Sequence, residues 1–270
     1  MKRSFAAQLG HETVRILEAG CYKNAAGDRV SISEALAQAV DGTVSYGPDD
    51  ALPSAPLGER TARIEVRNES TLEAALRLLA EGHRPVALNF ASAKNPGGGF
   101  LGGALAQEES LARSSGLYAC INGSPMYEYH RSYGDAMYSD CAIYSPDVPV
   151  FRDDEGLLLP EPYLCSFITS PAVNAGVVLQ RDPSRRKAIR SAMRRRVHLV
   201  LTLAAAYEHE ALVLGAWGCG VFRNDGQEIA ELFHDALAHH FRGAFSRVIF
   251  AVLDWSAEKR FIGPFERTFR

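Results

Sequence analysis

A run of six residues, "PVALNF" at 85–90, places the tightest constraint on the fold of this sequence. It is almost entirely apolar and begins with proline, which is typical of a short strand buried on both faces of a sheet. A helical pattern, "STLEAALRLLAEG" at 70–82, precedes the run, and an alternating strand pattern, "ARIEV" at 62–66, precedes that helix. Strands that alternate with helices predict an α/β layered fold with a mixed sheet.

The same alternation extends along the rest of the chain. Ser70 and Glu73 have the spacing of a capping box, which marks the start of the helix at 70–82. Further strands are predicted at 141–145, 163–169, 211–216 and 247–253, and further helices at 4–19, 31–40, 109–121, 183–208 and 225–241. Proline and glycine are concentrated in 41–61, which predicts a linker or a wrapped loop. We therefore predict an N-terminal helical extension with a linker over 1–60 and one larger domain over 61–270.

Composition argues against several classes of protein. The chain has 270 residues and a net charge of −3, with acidic and basic residues mixed, so no basic stripe indicates direct DNA binding. The N-terminus has no long apolar run, and no window has the length of a membrane span. The five cysteines form no CxxC pair, which argues against a disulfide framework and a zinc site. We expect a cytoplasmic monomer that needs no metal and no cofactor.

A glycine-rich segment, "NPGGGFLGGALAQEES", directly follows the buried strand. A strand, a glycine turn and a helix together bring backbone N–H groups close to an anionic ligand. Gly97, Gly98 and Gly99 remove side chains where the main chain must approach that ligand. Glu108 and Glu109 follow at the start of the next helix, about 100° apart around its axis. One carboxylate can therefore face the ligand, although the helix dipole alone also favours acidic residues there.

A second strand, glycine turn and helix occur in "LVLGAWGCGVFRNDGQEIAELFHDAL" at 212–237. The backbone N–H groups of this turn can line a pyrophosphate, and two such turns in one α/β domain favour a shared crevice at the carboxyl ends of the strands. Trp217 and Phe222 are equally explained as core aromatics, and Cys219 as a buried thiol. The candidate ligand-binding residues of the turn are Gly218, Cys219, Gly220, Val221 and Phe222.

Two further segments have both a functional and a structural interpretation. Asn174, in "ITSPAVNAG" at 168–176, either contacts the ligand or ends a turn. The basic run "RRKAIRSAMRRR" at 185–196 fits the solvated face of a helix better than a nucleic-acid patch, because its charges alternate with apolar residues.

The glycine-rich segment also carries a family resemblance. Three consecutive glycines, seven intervening residues and then Gln107, Glu108 and Glu109 resemble the GGG-x(6–8)-QEE signature of poly(ADP-ribose) glycohydrolases. The flanking "LNFASAKNPGGGF" and "RSSGLY" resemble the bacterial-type branch of that family. The resemblance implies a macrodomain-like, three-layer α/β/α catalytic domain over 61–270. It also implies hydrolysis of ribose–ribose O-glycosidic bonds in poly(ADP-ribose), with release of ADP-ribose.

The resemblance further implies a role for each candidate residue. Glu109 is the catalytic acid and base, a choice that spacing alone does not make between the two glutamates. Glu108 positions the ribose through its hydroxyls, and Gln107 orients the loop. The first glycine turn holds the distal ribose and the second holds the diphosphate. Phe222 braces the ribose, and the segment around Asn174 walls the adenosine side of the cleft.

Two alternative functions remain open from the sequence. One is a non-catalytic protein that binds ADP-ribose, and the other is a hydrolase of mono-ADP-ribose attached to an amino-acid side chain. The adjacent carboxylates argue against the first, because a protein that only binds an anionic ligand has no need of them. The expected partners are poly(ADP-ribose) and ADP-ribosylated proteins, and the expected product is ADP-ribose.

Overall fold

The computed structural model describes residues 1–55 and 58–270. The strands among them are β1 (Cys21–Lys23), β2 (Arg29–Ser31), β3 (Val44–Tyr46), β4 (Arg63–Arg67), β5 (Pro85–Phe90), β6 (Ala142–Arg152), β7 (Leu158–Ser170), β8 (Ala211–Leu214) and β9 (Arg247–Ala251). Seven of these strands form one sheet in the order β3-β6-β7-β5-β8-β9-β4, and β1 and β2 form a separate hairpin. Strand β6 is antiparallel to both of its neighbours, whereas the pairs from β7 to β4 are all parallel. The sheet is therefore mixed, as predicted.

Helices cover both faces of this sheet. They are α1 (Arg3–Ala19), α2 (Ser33–Asp41), α3 (Thr71–Ala80), α4 (Gln107–Ser114), α5 (Leu117–Ile121), α6 (Pro125–Tyr133), α7 (Ala175–Arg181), α8 (Arg186–Ala206), α9 (Gly226–Asp235) and α10 (Ile262–Thr268). In β5, Val86 and Leu88 pack into the core that contains α8 and α9, whereas Ala87 packs into the core that contains α3 and α5. This alternation confirms the three-layer α/β/α fold. None of the helices in the described part of the chain is long and apolar enough to cross a bilayer.

Predicted and observed elements agree best within the sheet and its capped helices. Strand β5 occupies the predicted residues, and Ser70 and Glu73 form the predicted capping box at the start of α3. The single helix predicted over 109–121 is wrong. The structure has two helices there, because Ser115 is extended and forms a β-bridge with Val150 of β6. The break lets the chain between α4 and α5 follow the edge of the sheet.

Two other differences concern where the chain changes direction. The strand predicted at 141–145 continues to Arg152 as one long strand, β6, with a bulge between Ser145 and Val148, and the turn that leads into β7 comes only after it. Asp147, inside the bulge, has a left-handed φ of 41°. The helix predicted over 225–241 changes from α9 to a π-helical turn over Ala236–His240.

The N-terminal segment is closely joined to the rest of the molecule. Val44–Tyr46, inside the predicted linker 41–61, is the edge strand β3 and pairs with β6. The linker prediction is wrong for these residues, because the flanking glycines and prolines obscure a short β-branched and aromatic run. Residues 56 and 57 of the same segment lie outside the described residues. The division at residue 60 between an extension and a domain stays a prediction.

Candidate active site

Both glycine-rich turns leave the sheet at one edge. Strand β5 runs parallel to β7 on one side and to β8 on the other, so these three strands end together. The first turn, residues 91–106, follows β5, and the second turn, residues 215–225, follows β8. Neighbouring loops at the carboxyl ends of parallel strands are where α/β folds bind their ligands.

Glu109 lies directly against the first turn. Its Oε1 accepts a hydrogen bond from the backbone N–H of Gly99 at 3.0 Å. Its Oε2 is buried and has no hydrogen-bond partner among the described residues. Gly98 has a left-handed φ of 60°, and a Cβ atom there would overlap Glu109 Oε1 and lie 2.9 Å from Glu108 Oε2. Only glycine at position 98 therefore lets the main chain pass this close to both carboxyl groups.

Glu108 is buried more deeply than its neighbour, with 4% of its surface exposed. Its Oε2 accepts a hydrogen bond of 2.6 Å from the N–H of Ser92, and its Oε1 has no partner within the described chain. Burial, reinforced by the charge of Glu109, raises the pKa of Glu108 to about 8, against the opposing effect of the Ser92 hydrogen bond. Glu108 is therefore protonated at neutral pH.

Gln107 fastens the start of α4 to the end of β5. Its Oε1 accepts from the N–H of Phe90 at 2.9 Å, and its Nε2 donates to the carbonyl oxygen of Leu88 at 2.8 Å and to Thr71 Oγ1 at 3.1 Å. Both ends of the amide are therefore engaged with the protein. The geometry suits the orienting role that the resemblance implies, rather than direct contact with a ligand.

The second turn presents several free backbone donors. No acceptor in residues 1–55 or 58–270 receives the N–H groups of Gly218, Gly220, Val221 or Phe222. The turn is held in shape by Asn224, whose Nδ2 donates to the carbonyl oxygen of Gly218 at 3.1 Å. Val221 is 82% exposed, so a ligand can reach this stretch of main chain. A stretch of free backbone N–H groups in a glycine turn is suited to bind an anion.

Two side chains of the second turn serve the core. Trp217 is fully buried, and its Nε1 donates to the carbonyl oxygen of Ser170. Cys219 is buried as well, and burial raises the pKa of its thiol to about 12, so it is not a thiolate at neutral pH. Cys219 therefore contributes its backbone rather than its sulfur to this turn. Among the described residues, no three His, Cys, Asp or Glu side chains are grouped as a metal site.

Asn174 caps a helix. Its side chain accepts a hydrogen bond from the N–H of Val177 at the start of α7. A cavity of about 150 Å³ lies next to this helix, between α8 and the second turn, with Arg223 and Asn224 in its wall. A larger cavity of about 400 Å³ lies between residues 47–52 and α8, away from both glycine turns.

Two residues near the carboxyl pair had no role in the sequence interpretation. Asn89 is fully buried in β5, where its Nδ2 donates to Thr169 Oγ1, and its Oδ1 has no partner among the described residues. Arg113, one helical turn after Glu109, is buried and its Nη1 donates to the carbonyl oxygen of Ala104. The sequence does carry a signal for each of them. Asn89 is a lone polar residue in an apolar strand, and Arg113 forms an i,i+4 pair of opposite charge with Glu109.

Comparison with known proteins agrees with this geometry. The family model "Microbial-type PARG, catalytic domain" matches residues 10–153. The crystal structure of poly(ADP-ribose) glycohydrolase (PARG) from Thermomonospora curvata is 46% identical, with a TM-score of 0.93 over 98% of this chain and 100% of that chain. The structure of the same enzyme bound to the inhibitor ADP-HPD is 45% identical, with a TM-score of 0.91 over 98% and 100%.

A second bacterial enzyme gives a similar result. The structure of PARG from Deinococcus radiodurans in complex with ADP-ribose is 44% identical, with a TM-score of 0.81 over 87% of this chain and 97% of that chain. No curated protein matches the chain at a significant level. The paired carboxyl groups, the two glycine turns and these matches together show that the chain belongs to the microbial-type poly(ADP-ribose) glycohydrolase family.

Proposed function

We propose that this protein hydrolyses the ribose–ribose O-glycosidic bonds of poly(ADP-ribose) and releases ADP-ribose. Membership of the family supports this activity. The observation that carries the proposal is the pair Glu108 and Glu109, which are held against the first turn with one buried, unpartnered oxygen each. Buried polar atoms of this kind are rare unless a ligand or water satisfies them. The hydroxyls of a ribose can supply the missing partners.

The substrate is held mainly by backbone groups. The distal ribose lies over Gly97, Gly98 and Gly99, where the absence of side chains leaves room beside the two carboxyl groups. The diphosphate accepts hydrogen bonds from the free N–H groups of the second turn. Phe222, the last of these residues of the second turn, is half-buried and packs against the ribose. These contacts recognise the shape and the charge of ADP-ribose.

Glu109 is the acid and the base of the reaction. It donates its proton to the oxygen that bridges the two riboses, while the bond from that oxygen to the anomeric carbon breaks and positive charge develops on the sugar. Water then attacks the anomeric carbon and returns a proton to Glu109.

Glu108 acts in its protonated form. Because burial raises its pKa to about 8, it carries a proton near pH 7 and can donate a hydrogen bond to a ribose hydroxyl. Gln107 holds both glutamates in place through its bonds to β5. Each of the three consecutive polar residues thus has a separate task.

A pair of isosteric substitutions tests the assignment. Glu109→Gln removes the transferable proton, so we expect ADP-ribose release from automodified polymerase to fall by roughly 10²–10⁴-fold, with binding of ADP-ribose retained in calorimetry. Glu108→Gln remains neutral and keeps an acceptor for Ser92, so we expect a much smaller loss. Retained turnover in Glu109→Gln contradicts the mechanism. Turnover of mono-ADP-ribosylated protein but not of polymer by the wild type favours the alternative hydrolase.

Several finer expectations stay predictions. The net charge of −3 and the mixed surface charge support a protein that does not bind DNA directly. A monomeric state and a cytoplasmic location are likewise predictions. Size-exclusion chromatography with light scattering measures the first, and fractionation of the cells that produce the protein measures the second.

A further inference from the structure

Residues 129–138 run alongside both glycine turns. Near the first turn, Arg131 Nη1 donates to the carbonyl oxygen of Lys94 at 2.9 Å. Near the second turn, the ring of Tyr138 lies 6.2 Å, centroid to centroid, from the ring of Phe222. Side chains of this segment therefore border the site on the side of the first turn as well as on that of the second.

Two exposed tyrosines stack on this segment. Tyr129 and Tyr133 are one helical turn apart in α6, with ring centroids 5.6 Å apart and an angle of 27° between the ring planes. They are 42% and 43% exposed. The buried ring of His130 meets both tyrosines edge-on, so the pair rests on packed protein. An aromatic surface that is fixed and open to solvent is suited to stack a flat ligand.

Positive charge lies beside the tyrosines. Lys94 and Arg131 take part in no ion pair with any residue in the described part of the chain. Lys94 is joined to α6 through its carbonyl oxygen, which accepts the hydrogen bond from Arg131. Aromatic rings combined with unpaired cations bind nucleotides, since the rings stack on the base and the cations attract phosphates.

We propose that Tyr129 and Tyr133, together with Lys94 and Arg131, bind the adenosine diphosphate part of the polymer unit on the leaving side of the cleaved bond. The inference rests on the proposed function. The bridging oxygen must lie at the first turn, beside Glu109, and the adenosine of the leaving unit is attached to that oxygen. Lys94 lies in the same turn, three residues before Gly97. The adenine and phosphates of the leaving unit therefore lie next to these two tyrosines and two cations.

The expected consequence is a preference for substrates that carry a second ADP-ribosyl unit. Base stacking on an aromatic side chain contributes enough to change affinity by about tenfold or more. Because the contact lies outside the reacting sugar, its loss raises the KM for the polymer more than it lowers kcat. A substrate with an aryl leaving group in place of the second unit makes no such contact.

The test compares two substrates in one set of variants. The double variant Tyr129→Ala/Tyr133→Ala is assayed on poly(ADP-ribose) and on a 1″-aryl glycoside of a single ADP-ribose. We expect the ratio of kcat/KM for the polymer to that for the aryl glycoside to fall by about tenfold. Tyr129→Phe/Tyr133→Phe keeps the rings, and we expect it to keep most of the wild-type ratio of the two kcat/KM values. Thermal unfolding confirms that both variants fold.

The charge contribution has its own matched control. Lys94→Gln is expected to raise the KM for polymer and to weaken its dependence on salt, because one cation that faces phosphate is lost. Lys23→Gln, in the exposed hairpin strand β1, makes the same change in net charge away from the patch. An unchanged polymer-to-glycoside ratio in the alanine double variant overturns the inference. A wild type that releases ADP-ribose from neither substrate overturns the proposed function instead.

Discussion

At the scale of single residues, the two adjacent glutamates differ because of burial. Glu108 faces the interior below the first turn, whereas Glu109 is half-buried and bonded to Gly99. Their side chains point in directions about 100° apart on the same helix. Two identical, adjacent residues can therefore have different roles. The sequence identified the pair but not this difference, because the environment of each carboxyl group comes from segments distant along the chain.

Burial of Glu108 predicts a pH-dependent stability. The folded carboxyl keeps its proton up to a pKa of about 8, whereas in the unfolded chain the group ionises near 4.5. The free energy of unfolding therefore falls as pH rises through this window. Glu108→Gln has no proton to lose. We expect the melting temperature of Glu108→Gln relative to the wild type to increase between about pH 5.5 and about pH 8.5. If the melting temperatures of the two proteins change in parallel with pH, the predicted effect of burial is contradicted.

At the scale of elements, the first turn works because its main chain passes close to α4. The positive φ of Gly98 and its contact with both carboxyl groups fix the geometry of the turn. Gln107 fixes the other side by joining α4 to β5. The turn and the helix are therefore fixed to each other at Glu109, which is the arrangement that the proposed mechanism needs.

Gly98→Ala should disrupt this unit. Alanine at a left-handed φ costs about 1–2 kcal/mol, and its Cβ forces the carboxyl groups to move. A shift of this kind in a catalytic group lowers the rate by roughly a hundredfold. Gly102→Ala is the control, because a Cβ at Gly102 meets nothing within 4 Å and its φ is not left-handed. Equal ADP-ribose release by the two variants would show that the close approach at Gly98 has no catalytic consequence.

At the scale of the whole molecule, the N-terminal helix is fastened to the site through one buried cation. Arg152, at the end of β6, is 1% exposed. Its guanidinium donates to Thr13 of α1 and to the carbonyl oxygen of Arg113 of α4, and pairs with Glu12 at 2.8 Å. The helix that carries the glutamates is thereby held between the sheet and α1.

Arg152→Leu tests the contribution of this link to stability. Removal of a buried cation that bonds to Thr13, Arg113 and Glu12 leaves several acceptors without this partner, so we expect the free energy of unfolding to fall by about 3 kcal/mol. Arg15 lies on the exposed face of α1 and has no such network. Arg15→Leu is therefore the matched control and should change the free energy of unfolding by less than about 0.5 kcal/mol. Chemical denaturation measures both variants. Equal stability of the two would show that the bonds of Arg152 do not contribute to holding α1 in place.

The local elements could be predicted because their causes are local. The apolar run of β5, the capping box of α3 and the glycine turns each depend on residues a few positions apart, and the family signature is a contiguous pattern. Strands β1, β2 and β3 and helices α6, α7 and α10 were missed. Ser124 and Pro125, which start α6, are a recognisable cap, but the polar and aromatic residues that follow show no clear apolar stripe.

What the sequence established on its own is the α/β class, the order of most strands and helices, and the contiguous family signature. Only the tertiary structure decided which glutamate is buried, that Gln107 and Asn174 bond to the protein, and that α6 borders the site. The reason is physical: burial and the pKa values that follow from it depend on groups brought together from distant parts of the chain. Propensity and capping act within a few residues and can be read from the sequence.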